Sequence, residues 1–333
     1  MPDGLPVLIP VLLLVLAAEF VNGWTDSPNA IATVVATRVL SPLAAVGMAA
    51  SLNFLGVLIT GTAVAATIGQ DIVRPETISL SVVAAAMLTV VIWSTVAWYF
   101  GIPTSESHEL IAGLTGAGLA SAGPSVLLWE GWQKVLLGLV FSTVIGFVLS
   151  VTVMTALYWI LRRVRLNTVR NSFSKLQILS AALMAFSHGS NDGQKFMGVF
   201  ALSLMLGGVA SEFHVPVWVM LLCGSIMATG TAFGGWRIIR TMGVKLTRLE
   251  PVSGFAAEAS AAGAILAASS FGIPLSTTHT ITSSIMGVGA TRRLSAVRWS
   301  VAGNIVATWL ITFPVCGVLG FVFTWLFKQL GWT

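Results

Sequence analysis

Residues 100–118 read FGIPTSESHELIAGLTGAG, and residues 271–289 read FGIPLSTTHTITSSIMGVG. Both begin Phe-Gly-Ile-Pro, place a serine two residues after the proline and a histidine three residues after that, at a constant offset of 171. A residue that precedes proline is pushed out of the α region, so each Gly-Ile-Pro ends one helical segment. A fresh helix N-terminus follows, with free backbone N–H groups, the positive end of the helix dipole and a set of hydroxyls. One such end is a ready anion site. Two of them, one from each half of the chain, can hold a single oxyanion between them.

The surroundings are apolar. Hydrophobic residues make up 56% of the 333 positions and charged residues only 9%, whereas a soluble domain carries about 25% charged residues. Apolar runs cover 5–19, 40–68, 77–100, 135–161, 176–186, 215–235, 255–275 and 299–327. Several reach the ~20 residues that a helix needs to cross a bilayer. The expected class is an all-α polytopic membrane protein. The start, MPDGLPVLIPVLLL, has no basic n-region and no small-residue cleavage site, and reads as a first membrane segment rather than a signal peptide. Cys223 and Cys316 lie inside apolar runs without metal or redox spacing, which suits packing. The net charge of +5 is gathered in short loops, so it reports orientation in the membrane and argues against nucleic-acid binding.

Two more matches extend the repeat. VNGWTD (21–26) pairs with SHGSND (187–192) at an offset of 166, and GTA (61–63) pairs with GTA (230–232) at 169. Equivalent loops carry opposite charge. Asp71, Arg74 and Glu76 sum to −1, while Arg237, Arg240, Lys245, Arg248 and Glu250 sum to +3. The loop with Glu130 and Lys134 is neutral, and its counterpart holds Arg292, Arg293 and Arg298. Basic loops stay cytoplasmic, and the stretch with Arg162, Arg163, Arg165, Arg170 and Lys175 is the most basic of all. Each half then crosses the membrane an odd number of times, most simply five, and both termini lie outside the cytoplasm. The expected architecture is an inverted-topology repeat of about 10–12 membrane segments, including broken helices or re-entrant hairpins. Residues 1–161 form the first repeat, 162–175 a basic cytoplasmic linker and 176–333 the second repeat. Many secondary transporters are built this way, with substrate held near the midplane between the repeats. A merely duplicated bundle would need no matched helix breaks.

A charge at membrane depth costs roughly 2.5–3.5 kcal/mol on insertion scales, so each one needs a reason. Asp26 and Asp192 hold equivalent positions, with Asn22, Gly23, Thr25 and Asn29 around the first and Gly189, Asn191, Gln194 and Lys195 around the second. Gly23 and Pro28 suit an unwound stretch of the first helix. Freed carbonyls with Asp and Asn oxygens would take a hard cation or a proton there; ordinary turns at the membrane surface are the alternative. Ser105, Ser107, Ser276, Thr277 and Thr278 are the anion-side candidates. His108 and His279 read as substrate ligands or proton carriers, or as braces of the hairpins. Glu106 and Glu258 join them as candidate proton carriers or hairpin braces, with Glu19 and Glu109 as further acids; an ionised Glu106 would repel an anion, so it titrates or faces away.

The stretches NGWTDSPNAIATVVATRVLSP and SHGSNDGQKFMGVF resemble the paired signature of the inorganic phosphate transporter (PiT) family, and GIPTSESHELIAGLTG and GIPLSTTHTITSSIMG resemble its paired hairpins. The resemblance runs from about residue 10 to the end. It implies a cation-coupled symporter of inorganic phosphate, with no catalytic activity and no cofactor. It makes Asp26, Asn29, Asn191 and Asp192 the cation-side residues, with sodium at Asp26 and Asp192 as one form, and it assigns phosphate to the hairpin hydroxyls. Two positions depart from the sodium-coupled pattern, which has Asn where this chain has Thr25 and Lys195. The SHGSNDGQK form resembles the bacterial, proton-coupled branch, associated with low-affinity uptake of phosphate or neutral metal phosphate across the cell's inner (plasma) membrane. The coupling ion, proton or sodium, stays open. Lys195 is either a fixed ammonium that replaces a bound cation beside Asp192 or a lysine snorkelling to the interface. The resemblance implies phosphate, a coupling cation and the lipid bilayer as partners, with a divalent metal accompanying the substrate as one form. A homodimer is compatible with the sequence, and a regulatory protein would have to dock on the basic cytoplasmic loops. Rival readings are a carrier of sulfate or another tetrahedral oxyanion, a membrane enzyme acting on phosphate groups, and a passive channel.

Overall fold

The computed structural model describes residues 5–332, so the first four residues of the expected N-terminal segment lie outside the described part. Thirteen α-helices are present among the described residues, and they form one series of elements written twice. The first series is α1 (Leu5–Ala36), α2 (Pro42–Ile59), α3 (Ala63–Ala66), α4 (Leu80–Phe100), α5 (Glu106–Ala122) and α6 (Trp129–Leu161). The second is α7 (Leu166–His188) with α8 (Gln194–Leu206), then α9 (Val217–Phe233), α10 (Trp236–Arg240), α11 (Pro251–Ser270), α12 (Thr277–Arg292) and α13 (Trp299–Gln329). A π-helical turn, Gly189–Gly193, joins α7 to α8, and similar turns extend α3 and α10. Among the described residues six helices are long and apolar enough to cross a membrane, and α9 with the α10 segment forms a pair bent by 58°, a broken span or a re-entrant loop. The chain is a multi-pass, all-helical membrane protein.

Contacts between helices show the inversion. α5 ends at Ala122, and the chain turns at that face into α6, where Leu128 N donates to Ile72 O at 3.2 Å. About 14 Å along α6, Gly138 meets the tip of the second hairpin: a Cβ there would stand 3.0 Å from Pro274 O. Further along, Gly146 packs on Thr280 and Gly287 on Phe147 and Ser150, so α6 and α12 run side by side toward the other face. α13 follows the reverse course. It starts beyond α12, passes Pro103, whose carbonyl accepts from Trp309 Nε1 at 3.2 Å, and ends where Lys328 Nζ bonds Ala120 O and Ser121 O. The hairpin helices α5 and α12 therefore start together in the interior and leave toward opposite faces. Both hairpins turn on a left-handed glycine, Gly101 and Gly272, each at φ 67°, before proline forces an extended approach to the next helix.

Two apolar cores lie on either side of a polar layer. Val11, Val15 and Ala18 of α1 belong to one core and Ala30, Ile31 and Val34 to the other. The residues between them include Glu19, Asn22, Asp26 and Asn29, all buried. The second half repeats this, with Ala181, Met184 and Ala185 in one core, Phe196 to Leu204 in the other, and Ser187 to Lys195 between.

Two details differ from the sequence reading. α1 is not unwound at Gly23 and Pro28; it is helical throughout. The Trp24 carbonyl, deprived of a backbone donor by Pro28, accepts from Ser27 Oγ at 3.1 Å. Gly23 serves packing instead, since a Cβ there would lie 2.2 Å from Met227 O of α9. The second correction is the GTA pairing. Gly61 follows α2 with φ 83°, whereas Gly230 lies inside α9 and packs against Phe20 O. The counterpart of Gly61 is Gly234, which follows α9 with φ 66°, and an Ala/Gly-rich chain supplied a false match. The basic stretch 162–175, expected as a linker, is helical from Leu166 onward; it holds no glycine or proline to prevent this.

Candidate functional site

The polar layer is where the two hairpin tips meet the two signature stretches. α1 brings Thr25, Asp26 and Asn29. The π turn and the start of α8 bring Asn191, Asp192 and Lys195. α5 and α12 bring their first turns. A π turn inserts an extra residue and re-aims side chains, a feature frequent at functional sites. Ser107 Oγ donates to Leu275 O at 3.0 Å, and the His108 and His279 rings stand 4.3 Å apart, so the hairpins touch each other. The first-turn N–H groups of Glu106, Ser107, Thr277 and Thr278 have no intrahelical acceptor and belong to helices that diverge from this point.

The pairing is pseudo-symmetric, and the departures from symmetry are chemical. Thr278 donates to both oxygens of Asp26, at 3.2 and 3.1 Å, and Thr277 donates to Asp192 Oδ2 at 2.7 Å. Asn29 Nδ2 bonds Thr277 and Thr278 at 3.2 and 3.0 Å. Lys195 replaces Asn29 in the second copy. Its ammonium donates to Asp192 Oδ1, to Ser107 Oγ and, at 3.0 Å, to Leu275 O. The lysine is 1% exposed, so it does not snorkel to the interface. Glu106 takes the place of Thr277 in the first hairpin and accepts from Thr25.

Asp192 is consequently filled by fixed donors. Lys195 holds one oxygen, Thr277 the other, and His188 Nε2 stands 3.2 Å from that second oxygen. Asp26 accepts from the Thr278 hydroxyl and has no ion pair among the described residues. Asn29 Oδ1 and Asn22 Oδ1, which flank it at helical spacings of three and four, accept no hydrogen bond among the described residues. A carboxylate with amide oxygens around it is the donor set of a hard cation. Asp26 has such a set around it, whereas Asp192 is already paired with the Lys195 ammonium. One ligand atom each of Asp26, His188 and Asp192 lies within 4.8 Å of the others, which places the imidazole at the edge of the same site.

The remaining candidates fall in distinct places. Ser276 caps α12, accepting from His279 N at 3.1 Å, while Ser105 Oγ has no partner among the described residues. His279 stacks on Trp309 at 3.7 Å and His108 packs on Phe313 at 4.8 Å, an arrangement that braces the hairpins. Asn191 Nδ2 bonds Ser269 of α11 at 2.8 Å. Glu258 lies apart from the cluster, accepting from Thr33, Ser180 and Gln177. Sequence reasoning missed His188 and Asn53. The spacing of four from Asp192 marks His188 as sharing its helix face. Asn53, whose Oδ1 is 3.2 Å from His188 Nδ1 and whose amide donates to Thr231 at 3.0 Å, sits in an apolar run with nothing nearby to signal it.

Known proteins are similar to this chain over most of its length. Residues 22–320 match the family model described as "Phosphate transporter family". A protein of Rhizobium meliloti (strain 1021) named "Probable low-affinity inorganic phosphate transporter" is 47% identical over 315 residues, covering 94% of each chain. Proteins of the same name in Bacillus subtilis (strain 168) and Mycobacterium leprae (strain TN) are 40% and 39% identical, over 94% and 98% of this chain and 94% and 79% of theirs. A solved structure, "The sodium-dependent phosphate transporter", superposes with a TM-score of 0.90 at 25% identity, over 98% of this chain and 100% of the other. These relatives are named for transport rather than catalysis. The chain belongs to the phosphate transporter family.

Proposed function

We propose that the protein is a secondary active symporter that imports inorganic phosphate, alternating access about the midplane site where the repeats meet. The relatives' names supply the substrate, and the diverging N-termini of α5 and α12 suit its charge. Phosphate is held there by first-turn N–H groups and by Ser105, Ser107, Thr277 and Thr278, with Lys195 as the nearby cation. Coupling runs through Asp26. Buried beside Thr25 and Glu106 and without a basic partner of its own among the described residues, that carboxylate needs a positive charge, proton or cation, to travel with the anion. The observation that carries the reading is the Lys195 ammonium, buried among Asp192, Ser107 and Leu275 O. It stands for one bound cation, leaves a single coupling site on the Asp26 side, and favours protons over sodium. A divalent metal that enters with phosphate would be cargo at the edge of this cluster, next to His188.

The arginine-rich face is cytoplasmic in this reading, both termini lie outside, and the membrane is the cell's inner membrane. Labelled phosphate uptake into proteoliposomes tests the assignment. Asp26→Asn is expected to abolish uptake in a protein that purifies and unfolds like wild type, and excess sulfate is expected not to compete. Sulfate competition at equal concentration would move the substrate to the wider class of tetrahedral oxyanions. Unimpaired uptake by the variant would remove Asp26 from the mechanism.

A further inference from the structure

The face opposite the α5 terminus carries a cavity of about 440 Å³ that takes no part in the midplane site, a size within the ~300–1,000 Å³ of ordinary ligand pockets. Met154 of α6, Val252 of α11 and Val288 of α12 give it an apolar floor, and Arg248, Arg292, Arg293 and Arg298 line its rim. The carboxylate in the lining is Glu250, which lies 3.5 Å from Arg292, and Arg298 donates to Lys245 O at 3.3 Å. No side-chain hydrogen bond or ion pair engages Arg248 or Arg293 among the described residues.

Its depth in the membrane is marked independently. Tyr158 lines the cavity and is 44% exposed, with Trp159 beside it and Trp299 at the start of α13 also exposed. Arg162 lies over the Trp159 ring at 5.2 Å. Exposed tryptophans and tyrosines gather at headgroup level, so the rim guanidinium groups stand where lipid phosphates lie. The repeat provides an internal control. The loop that follows α12, 292–299, reads RRLSAVRW, whereas the corresponding loop after α5, 121–128, reads SAGPSVLL and carries no charge. The fold alone does not require Arg292, Arg293 and Arg298, whose counterparts are uncharged; Arg248 has a counterpart in Arg74.

We infer that this cavity is a phosphoanion site, occupied by the headgroup of an anionic phospholipid, with two unpaired guanidinium groups gripping the phosphate bidentately and the apolar floor receiving the start of the acyl chains. α12 spans from this cavity to Thr277 and Thr278, so the headgroup holds the outer end of the helix whose inner end carries the midplane hydroxyls.

Binding measured on the purified full chain tests this without relying on transport. In native mass spectrometry, wild type is expected to retain phosphatidylglycerol in preference to phosphatidylcholine. Arg248→Gln with Arg293→Gln should weaken that binding roughly thirtyfold, from the usual contribution of a basic residue near an anionic surface. Ser295→Trp keeps every charge but fills the cavity, and should lose binding as well. Arg74→Gln, on the opposite face, should not. A second arm uses inorganic phosphate and tripolyphosphate in neutral detergent. Protection of wild type from thermal unfolding by these, absent from both cavity variants and without a lipid effect, would keep the phosphoanion site and assign it a soluble ligand. The inference is overturned if the arginine double variant loses phosphatidylglycerol while Ser295→Trp binds it like wild type, or if neither arm separates the variants from wild type; the arginines then serve only to orient the chain.

Discussion

Asp26 and Asp192 are equivalent by sequence and unequal in their surroundings, and the difference in charge between the two copies lies at one residue of the signature. Where α1 has Asn29, α8 has Lys195, and its ammonium closes on Asp192, Ser107 and Leu275 O. Removing one partner of a buried pair strands the other, typically at about 3–5 kcal/mol. Lys195→Ala is therefore expected to lower the thermal unfolding temperature sharply, and Asp192→Asn made in the same protein should recover much of that loss, because no charge is then stranded. A Lys195→Ala protein as stable as wild type would mean that the pair contributes nothing. The sequence showed that Lys195 departs from the repeat but left its direction open, since a lysine at a helix end either snorkels or turns inward. Packing decides this, because the inward path is lined by the second hairpin, 80 residues away in sequence. Glu258 was equally visible as an acid in an apolar run, yet its partners Thr33 and Ser180 come from α1 and α7. No local spacing predicts that such a residue stays out of the midplane cluster.

Among the elements, the hairpins were the most legible, because Gly-Ile-Pro acts through local backbone sterics: a left-handed glycine and then a proline. The signature stretches were less so. Gly and Pro in α1 looked like a break, but Pro28 is accommodated by Ser27 and Gly23 is a contact with α9. Matched close contacts follow from the repeat: Gly23 meets Met227 O, and its counterpart Gly189 meets Asn53 O, with a Cβ falling 2.2 and 2.1 Å from those atoms. Backbone cannot yield as a side-chain tip does, so Gly23→Ala should destabilise by about 1–3 kcal/mol, as overpacking does. Gly47 of α2 has nothing within 4 Å of its Cβ position. Gly47→Ala should be neutral, or stabilising by up to about 1 kcal/mol through helix propensity. Thermal unfolding in one detergent compares the two, and equal shifts would refute the packing account of Gly23.

For the whole molecule, loop charge and the constant offset of 171 were enough to argue opposed halves, and the courses of α6 and α13 give that argument a spatial form. Ser125, after α5, and Ser295, after α12, are both exposed and lie on opposite faces. Single cysteines placed there, with the buried Cys223 and Cys316 replaced by alanine, should react with an impermeant maleimide from opposite sides of sealed vesicles. Reaction from the same side would contradict the inversion. In the proposed function, asymmetry within that frame sets the coupling: Asp192 carries its own cation in Lys195, and Asp26 does not. The most direct test is phosphate uptake into proteoliposomes with the pH and sodium gradients imposed independently, for wild type and for Lys195→Asn. Wild-type uptake driven by the pH gradient without sodium, together with a sodium stimulation that appears in Lys195→Asn, is the predicted result; strict sodium dependence of the wild type would contradict it.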